Sequence, residues 1–232
     1  MTRSHHLAWL FDIDGTLLLT DGAAREAFIH AVRDVLGVAD DLDGVAFAGR
    51  IEPQILADIL ARHGRRPDPE LARRFWESVL AHMRVVLRPG RGRLLPGVPE
   101  LLAAVEREPG WVATLLTGNM TPLARIKLEH FGLAARFPLG AFGEEAASRD
   151  DLARLAVRRV GERFGVPPQR CVVVGDTEHD VRCARAAGAR VVAVATGPSD
   201  PETLQRAGPD LVVPDLTGTE ALVGWARAVA AD

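Results

Sequence analysis

Short apolar runs alternate with segments of helical periodicity over most of the chain. The runs are rich in Val, Leu and Ala with little polar alternation, which is typical of strands covered by helices on both faces. The six predicted strands are residues 7–11, 111–116, 139–142, 171–174, 191–195 and 211–213. Strands that alternate with helices in this way predict an α/β fold with a doubly wound parallel sheet.

One long segment breaks this alternation. Between residues 22 and 86 we find only helical periodicity, in 23–36, 53–63 and 69–86. An all-helical stretch between the first and second strands predicts an inserted cap domain, and the Pro and Gly residues that follow mark the return to the core. The expected division is a core of residues 1–19 and 88–232 and a helical cap of residues 20–87.

The helix after the second predicted strand has recognisable ends. Thr121 is the expected N-cap, Pro122 lies in the first turn, and Gly132 ends the helix. These signals predict a helix over residues 123–131.

Composition and charge limit the classes of function. The chain has 232 residues, 47% of them hydrophobic, which is enough for a globular core. A formal net charge of −3 gives no support for a nucleic acid or an anionic membrane as partner. No apolar run is long enough to span a bilayer, and the N-terminus lacks a secretion signal, so we expect a cytoplasmic protein.

Cysteine and lysine usage adds one candidate residue. Cys171 opens a predicted strand and Cys183 lies in a predicted helix, so both are expected to be small buried hydrophobic residues. The 28 Lys and Arg residues include a single lysine, Lys127. A compact ammonium suits some sites that a planar guanidinium does not, which makes Lys127 a candidate for function. The alternative is a lysine that points into water.

Two acids follow the first predicted strand. Asp12 and Asp14 come directly before a Gly turn, at the end of the sheet where open α/β folds bind ligands. Such a pair can divide a displacement reaction, because one carboxylate attacks while the other moves a proton. The pair favours phosphoryl chemistry, although Asp-Gly is also an ordinary turn sequence.

Two further acids follow a later strand. Asp176 stands at the tip of the predicted strand 171–174, and Asp180 lies one turn further on. Parallel strands end at the same edge, so four carboxylates are expected to converge there. That much negative charge requires a cation, and an all-oxygen site that also holds a phosphate suits Mg²⁺. The alternative is that Asp176 and Asp180 only cap the helix that follows.

A candidate anion site follows the second predicted strand. Thr117, Gly118 and Asn119 come directly before a helix N-terminus, where backbone N–H groups and a hydroxyl can bind phosphate. Lys127 lies about 7 to 8 Å along this helix, and helical side chains tilt back toward the N-terminus. Its ammonium is therefore expected to reach the same phosphate.

Together these motifs resemble the haloacid dehalogenase-like hydrolases, in the branch with a helical cap after the first strand, similar to phosphoglycolate phosphatases. The likeness rests on FDIDGTLL, LLPGVPELL, LLTGN and VVVGDTEHDVRCARAAG. It implies a Rossmann-like core and Mg²⁺-dependent hydrolysis of a small phosphorylated metabolite. By this likeness Asp12 forms an aspartyl-phosphate, and Asp14 protonates the leaving group and then activates water.

The resemblance also implies roles for the other motif residues. Thr117 would bind phosphate. Mg²⁺ would be held by the Asp12 carboxylate, the Asp14 backbone carbonyl and Asp176, with Asp180 on the ion or one layer further out. The acid at position 14 argues against the dehalogenase branch itself, which lacks it.

One feature of the family is missing. The usual lysine just before the metal-binding strand is absent, and Arg149 stands near its expected place. Either Lys127 or Arg149 supplies that positive charge, and we favour Lys127.

The cap selects the substrate in this family. Arg50 and Gln54 resemble cap residues that contact the substrate, and Arg50 could bind a carboxylate or a second phosphate. One alternative is a sugar phosphomutase similar to β-phosphoglucomutase, although related branches use a cap lysine and this cap has none. A catalytically silent binding or regulatory module is an alternative of another class. Phosphoglycolate, sugar phosphates, nucleotides and pyrophosphate all stay open as substrates, and the protein is expected to be a monomer or homodimer.

Overall fold

A parallel sheet forms the centre of the protein. The computed structural model describes residues 6–66 and 68–231. Its strands are β1 (Leu7–Phe11), β2 (Leu18–Leu19), β3 (Arg93–Leu94), β4 (Trp111–Leu116), β5 (Gly140–Ala141), β6 (Cys171–Gly175), β7 (Arg190–Val194) and β8 (Leu211–Val213). Six of them pair in parallel in the order β5-β4-β1-β6-β7-β8, which confirms the predicted α/β fold.

Helices cover both faces of this sheet. They are α1 (Ala23–Leu36), α2 (Glu52–Arg62), α3 (Pro69–Val86), α4 (Val98–Arg107), α5 (Thr121–His130), α6 (Arg149–Phe164), α7 (Glu178–Ala186), α8 (Pro201–Arg206) and α9 (Thr219–Ala231). Trp9 and Phe11 of β1 pack with α4, α5 and α9, whereas Ala8 and Leu10 pack with α6, α7 and α8. Because alternate residues of β1 are buried on opposite faces, the strand has no polar alternation in its sequence.

The predicted strands 7–11, 111–116 and 211–213 and the predicted helices 23–36 and 69–86 have the observed bounds, and the other predicted elements differ by one or two residues at an end. The predicted N-cap of α5 was wrong. Thr121 is not the N-cap of α5 but its first residue, and the preceding Met120 makes no side-chain cap hydrogen bond. Carboxylates from elsewhere accept the free N–H groups instead: Glu52 accepts from Met120 at 2.6 Å and Glu144 from Thr121 at 3.0 Å. Tertiary contacts have therefore replaced the local cap.

The helices α1, α2 and α3 pack around a hydrophobic cluster of their own. Phe28, Ile59 and Phe75 are fully or almost fully buried in it, and Leu123 of α5 joins from the core. The strands that precede α1 and follow α3 in the chain, β2 and β3, form a short antiparallel pair that was not predicted from the sequence. The division at residues 20 and 88 stays a prediction.

The two cysteines match the expectation drawn from the sequence, and the helices bear on whether the chain could span a membrane. Cys171 and Cys183 are both buried and free, as expected of small hydrophobic residues. Within the described ranges, no helix combines the length and apolar composition needed to cross a bilayer.

Two glycines provide a matched test of the packing. Gly97 has φ +80°, and a Cβ there would lie 2.0 Å from the carbonyl carbon of Leu216. Gly224, in the middle of α9, has nothing within 4 Å of the position that a Cβ would take. We expect Gly97→Ala to lower the free energy of unfolding by about 2 kcal/mol or more, and Gly224→Ala to raise it by about 0.5–1 kcal/mol.

Urea unfolding of both variants and the wild type measures these changes. Equal effects of the two substitutions would contradict the described contact between Gly97 and residue 216.

Candidate active site

The strand order brings the predicted site residues to one edge of the sheet. Phe11, the last residue of β1, is in register with Leu115 of β4 and Val174 of β6. Asp12 follows β1 directly and Asp176 follows β6 directly. Because these parallel strands are neighbours and end together, their first loop residues meet above the same edge.

Three carboxylates form a compact buried group. Oxygen atoms of Asp12, Asp176 and Asp180 lie within 4.8 Å of one another, and all three residues are buried. The predicted convergence therefore occurs for these three acids. The fourth, Asp14, is partly exposed and its carboxylate is paired with Lys127.

Arg149 bridges two members of this group. Its Nη2 donates to Asp12 Oδ2 at 2.7 Å and also to Asp180 Oδ1. Burial raises the pKa of Asp12, and the Arg149 charge opposes that rise. Burial, together with repulsion from Asp180 and Asp12, raises the pKa of Asp176 well above its ordinary value. With all three carboxylates ionised, the guanidinium leaves two net negative charges, which a divalent cation would balance.

The surroundings of Asp176 fit a metal ligand. A Cβ on Gly15 would lie 2.3 Å from Asp176 Oδ2, and one on Gly197 would lie 1.6 Å from it. Only glycines therefore leave room for this carboxylate. Thr16 Oγ1 donates to its other oxygen, Oδ1, at 3.2 Å and fixes its orientation. Oriented carboxylate oxygens with no sulfur or imidazole partner are a donor set suited to Mg²⁺.

Asp180 has two simultaneous functions in the structure. Its Oδ2 accepts hydrogen bonds from the Thr177 N–H at 3.0 Å and from Thr177 Oγ1 at 2.8 Å, which forms a capping box at the start of α7. Its Oδ1 accepts from Arg149. The capping role that stood as the alternative for Asp180 is thus present, and it coexists with membership of the acidic group.

Lys127 lies inside the site. Only 2% of it is exposed, and its Nζ donates to Asp14 Oδ2 at 2.6 Å and to Asn119 Oδ1 at 2.5 Å. The alternative in which this lysine points into water is wrong. The two candidate cations occupy different places, since Lys127 contacts Asp14 while Arg149 contacts Asp12.

The predicted phosphate loop is ordered by Asn119. Its Nδ2 donates to Asp14 Oδ2 and to Thr117 Oγ1, both at 2.8 Å. Thr117 is completely buried, and its hydroxyl lies behind Asn119 and outside the lining of the cavity. Gly118 and Asn119 do line the cavity.

A cavity of about 540 Å³ lies above the acids. Asp12, Asp14 and Asp176 line it from the sheet edge, and α1 and the segment 47–50 line the other side. Arg50 lines it too, with its Nη2 bound to Asp58 at 2.8 Å. Gln54 does not line it: its Nε2 donates to the Ala147 carbonyl at 2.9 Å, beside a second cavity of about 400 Å³.

Glu52 is a cavity residue that the sequence analysis missed. It is 6% exposed, its N–H donates to the Gly118 carbonyl at 2.9 Å, and its Oε2 accepts from the Met120 N–H. Burial raises the pKa of Glu52 to about 8, against the opposing charge of Lys127. An acid at the start of a helix was the only sequence signal, and that pattern is common without function.

The raised pKa of Glu52 predicts that the stability of the protein depends on pH. The folded protein binds the Glu52 proton more tightly than the unfolded chain, so its stabilising effect is present at low pH and is lost as pH rises from about 4.5 through 8. Glu52→Gln keeps an oxygen for the Met120 N–H but cannot ionise. We expect the variant to match the wild type near pH 5 and to exceed its Tm by roughly 5 °C at pH 8.5.

Thermal unfolding at the two pH values provides the measurement. Glu144→Gln is the matched control, because Glu144 accepts the next N–H of α5 but is exposed to water. A Tm difference between Glu52→Gln and wild type that stays the same at both pH values would be the contrary result.

The chain is similar in sequence to a family of hydrolases and to several phosphatases. A model of the haloacid dehalogenase-like hydrolase family matches residues 9–185. A phosphoserine phosphatase of Thermus thermophilus is 35% identical over 201 residues, which cover 82% of this chain and 74% of that protein. A phosphoglycolate phosphatase of Agrobacterium fabrum is 29% identical over 211 residues, covering 89% and 88% of the two chains.

Solved structures share the fold. A hydrolase from Pseudomonas syringae gives a TM-score of 0.74 at 22% identity, covering 94% of this chain and 98% of that one. CbbY from Rhodobacter sphaeroides, solved in complex with phosphate, gives a TM-score of 0.70 at 24% identity, and the match covers 90% of this chain and 94% of CbbY. The family model spans well over half of the chain, and the resemblance predicted from the motifs is confirmed. The chain belongs to the haloacid dehalogenase-like hydrolases and is an enzyme of their phosphatase type.

Proposed function

We propose that this enzyme is a Mg²⁺-dependent phosphatase that hydrolyses a small phosphomonoester metabolite through a phosphorylated Asp12. The observation that carries the proposal is the buried group of Asp12, Asp176 and Asp180 at the floor of the cavity, with Arg149 on Asp12. An acid–base pair, Asp14 and Lys127, stands beside it.

The curated relatives support this chemistry and leave the substrate open. The two proteins described above are named for phosphoserine and phosphoglycolate, and a relative from Pseudomonas aeruginosa, 28% identical, is named an N-acetylmuramic acid 6-phosphate phosphatase. Their common feature is a phosphate ester on a small alcohol. We propose the same class of substrate here.

In the first half of the proposed reaction, a carboxylate oxygen of Asp12 attacks phosphorus and the bond to the leaving oxygen breaks. Asp14, which lines the cavity and is partly exposed, gives its proton to that oxygen. The Arg149 guanidinium and the Lys127 ammonium attract the phosphoryl oxygens. Mg²⁺, held by Asp12 and Asp176 with Asp180 nearby, would neutralise charge on the transferred group when bound.

In the second half, water hydrolyses the acyl phosphate. The Asp14 carboxylate accepts a proton from the water, which attacks phosphorus, and the bond between phosphorus and Asp12 breaks. The Asp12 carboxylate and inorganic phosphate are the products. Lys127 and Asn119 both bind Asp14 Oδ2, so they hold the carboxylate in place between its two proton transfers.

We also propose that residues 20–87 act as a cap over this site. The helices α1–α3 have a separate hydrophobic cluster, and α1, the segment 47–50 and the first turn of α2 supply the side of the cavity opposite the acids. A cap in this position would exclude water from the phosphoryl group and contact the leaving group.

Loss of the nucleophile is the first test. We expect the wild type to release phosphate from para-nitrophenyl phosphate with Mg²⁺, and Asp12→Asn to lower kcat by about 10³-fold or more, because an amide cannot form the acyl phosphate. EDTA should abolish the activity and excess Mg²⁺ restore it. Asp215→Asn, at a half-buried acid that does not line the cavity, is the control. Failure to release phosphate from this ester and from a panel of phosphometabolites would favour the silent binding module.

The two cations are separated by a second test. Lys127→Met removes the charge beside Asp14, and Arg149→Met removes the charge beside Asp12. We expect each to lower kcat by roughly 10²-fold or more, since each charge faces the transferred phosphoryl group. Arg154→Met, at an exposed arginine of α6, should leave kcat unchanged. Near-normal turnover in Lys127→Met would assign the phosphate-binding charge to Arg149 alone.

A further inference from the structure

The cavity has two chemically different sides. Its floor, at the sheet edge, carries the charged groups described above. Its roof is lined mainly by apolar side chains, which are Leu19, Ala24, Phe28, Phe47, Ala48 and Ile55. A phosphoryl group at the floor would direct the leaving group of the ester toward this roof.

Two phenylalanines form the centre of the roof. The rings of Phe28 and Phe47 meet edge to face, with centroids 5.3 Å apart. Phe28 is 1% exposed and is held from behind by Phe75 and Trp76, at 5.8 and 5.7 Å between centroids. This apolar surface is therefore fixed by packing before any ligand binds.

The charged groups of the roof already have partners. Arg25 donates to Asp43 Oδ1 at 3.0 Å, and its guanidinium lies 5.6 Å from the centre of the Phe47 ring. Arg50 is bound to Asp58. Each of these arginines is therefore paired with a carboxylate of the same segment, residues 20–87, which offsets its charge on this side of the cavity.

The remaining polar groups of the roof offer little to a ligand. Asp21 accepts from Arg93 at 2.7 Å, and Glu52 accepts from the Met120 N–H. Thr20 adds one hydroxyl, and this residue is 6% exposed. A sugar hydroxyl turned toward this side would lose water and would compete with these internal contacts for hydrogen bonds.

The volume of the cavity also favours a leaving group larger than a two-carbon acid. The glycolate part of phosphoglycolate has two carbons and would leave most of a cavity of about 540 Å³ unfilled. A larger apolar group would remove both its own surface and that of Phe47 and Ala48 from water.

We infer that the natural substrate is a phosphomonoester whose alcohol presents an apolar face, such as an alicyclic or aromatic ring, to the half-buried ring of Phe47, which Phe28 supports from within the cap. The inference rests on the proposed phosphatase function and adds the substrate class to it. Polyhydroxylated sugars and two-carbon acids are then poor substrates.

A matched pair of esters tests the inference. In cyclohexylmethyl phosphate and in glucose 6-phosphate, the phosphate is esterified to a CH2 group attached to a six-membered ring. Only the ring of glucose 6-phosphate carries hydroxyl groups. We expect kcat/KM to be at least about 30-fold higher for cyclohexylmethyl phosphate, mostly through a lower KM. Equal values, or a preference for glucose 6-phosphate, would overturn the inference.

A pair of variants locates the effect. Phe47→Ala removes a ring that lines the cavity, whereas Val45→Ala shortens a neighbouring side chain that packs in the cap cluster without lining the cavity. We expect the preference to fall below about fivefold in Phe47→Ala and to persist in Val45→Ala. An unchanged preference in Phe47→Ala would rule out the roof as its source.

Binding separates this inference from the proposed reaction. Calorimetry on Asp12→Asn with Mg²⁺ measures Kd for the same two esters without turnover. If the wild type hydrolyses no ester, including para-nitrophenyl phosphate, the phosphatase proposal fails, and the two Kd values still decide the present question. A Kd for cyclohexylmethyl phosphate at least about tenfold lower supports the apolar substrate class, and a smaller or reversed difference overturns it.

Discussion

The structure depends on balancing negative charge that has been removed from water. Three carboxylates meet at the end of β1 and β6 with one guanidinium among them, and a fourth is paired with the only lysine of the chain. Burying these acids without partners would cost more free energy than the net stability of a domain of this size. The negative charge that remains on the Asp12 side would attract a divalent cation, and the bound cation would in turn attract a phosphoryl group.

The rest of the fold supplies the positions for that balance. Parallel pairing of β1 with β4 and β6 places the strand ends side by side, and helices on both faces shield the sheet from solvent. Glycines at 15 and 197 leave the space in which the Asp176 carboxylate lies. The two glycines matter as much as the acids, because a methyl group at either position would displace the Asp176 carboxylate.

The fold and the acidic residues could be predicted because their signals are local. Apolar runs mark buried strands, and acids directly after such strands must lie at the sheet edge. Contacts between distant segments could not be predicted in this way. The bond from Glu52 to the start of α5, the position of Thr117 behind Asn119, and the engagement of Gln54 with residue 147 all depend on how two parts of the chain pack together. The choice between Lys127 and Arg149 could not be made for the same reason, since both reach the site from different helices.

The helix α5 belongs to both parts of the molecule. One of its faces carries Lys127 to Asp14, while Leu123 is embedded in the hydrophobic cluster of α1, α2 and α3. Ile126, on the next turn of α5, packs against the same cluster. The position of the only ammonium beside Asp14 therefore depends on how α1, α2 and α3 pack, although none of those helices contributes a charge to that ion pair.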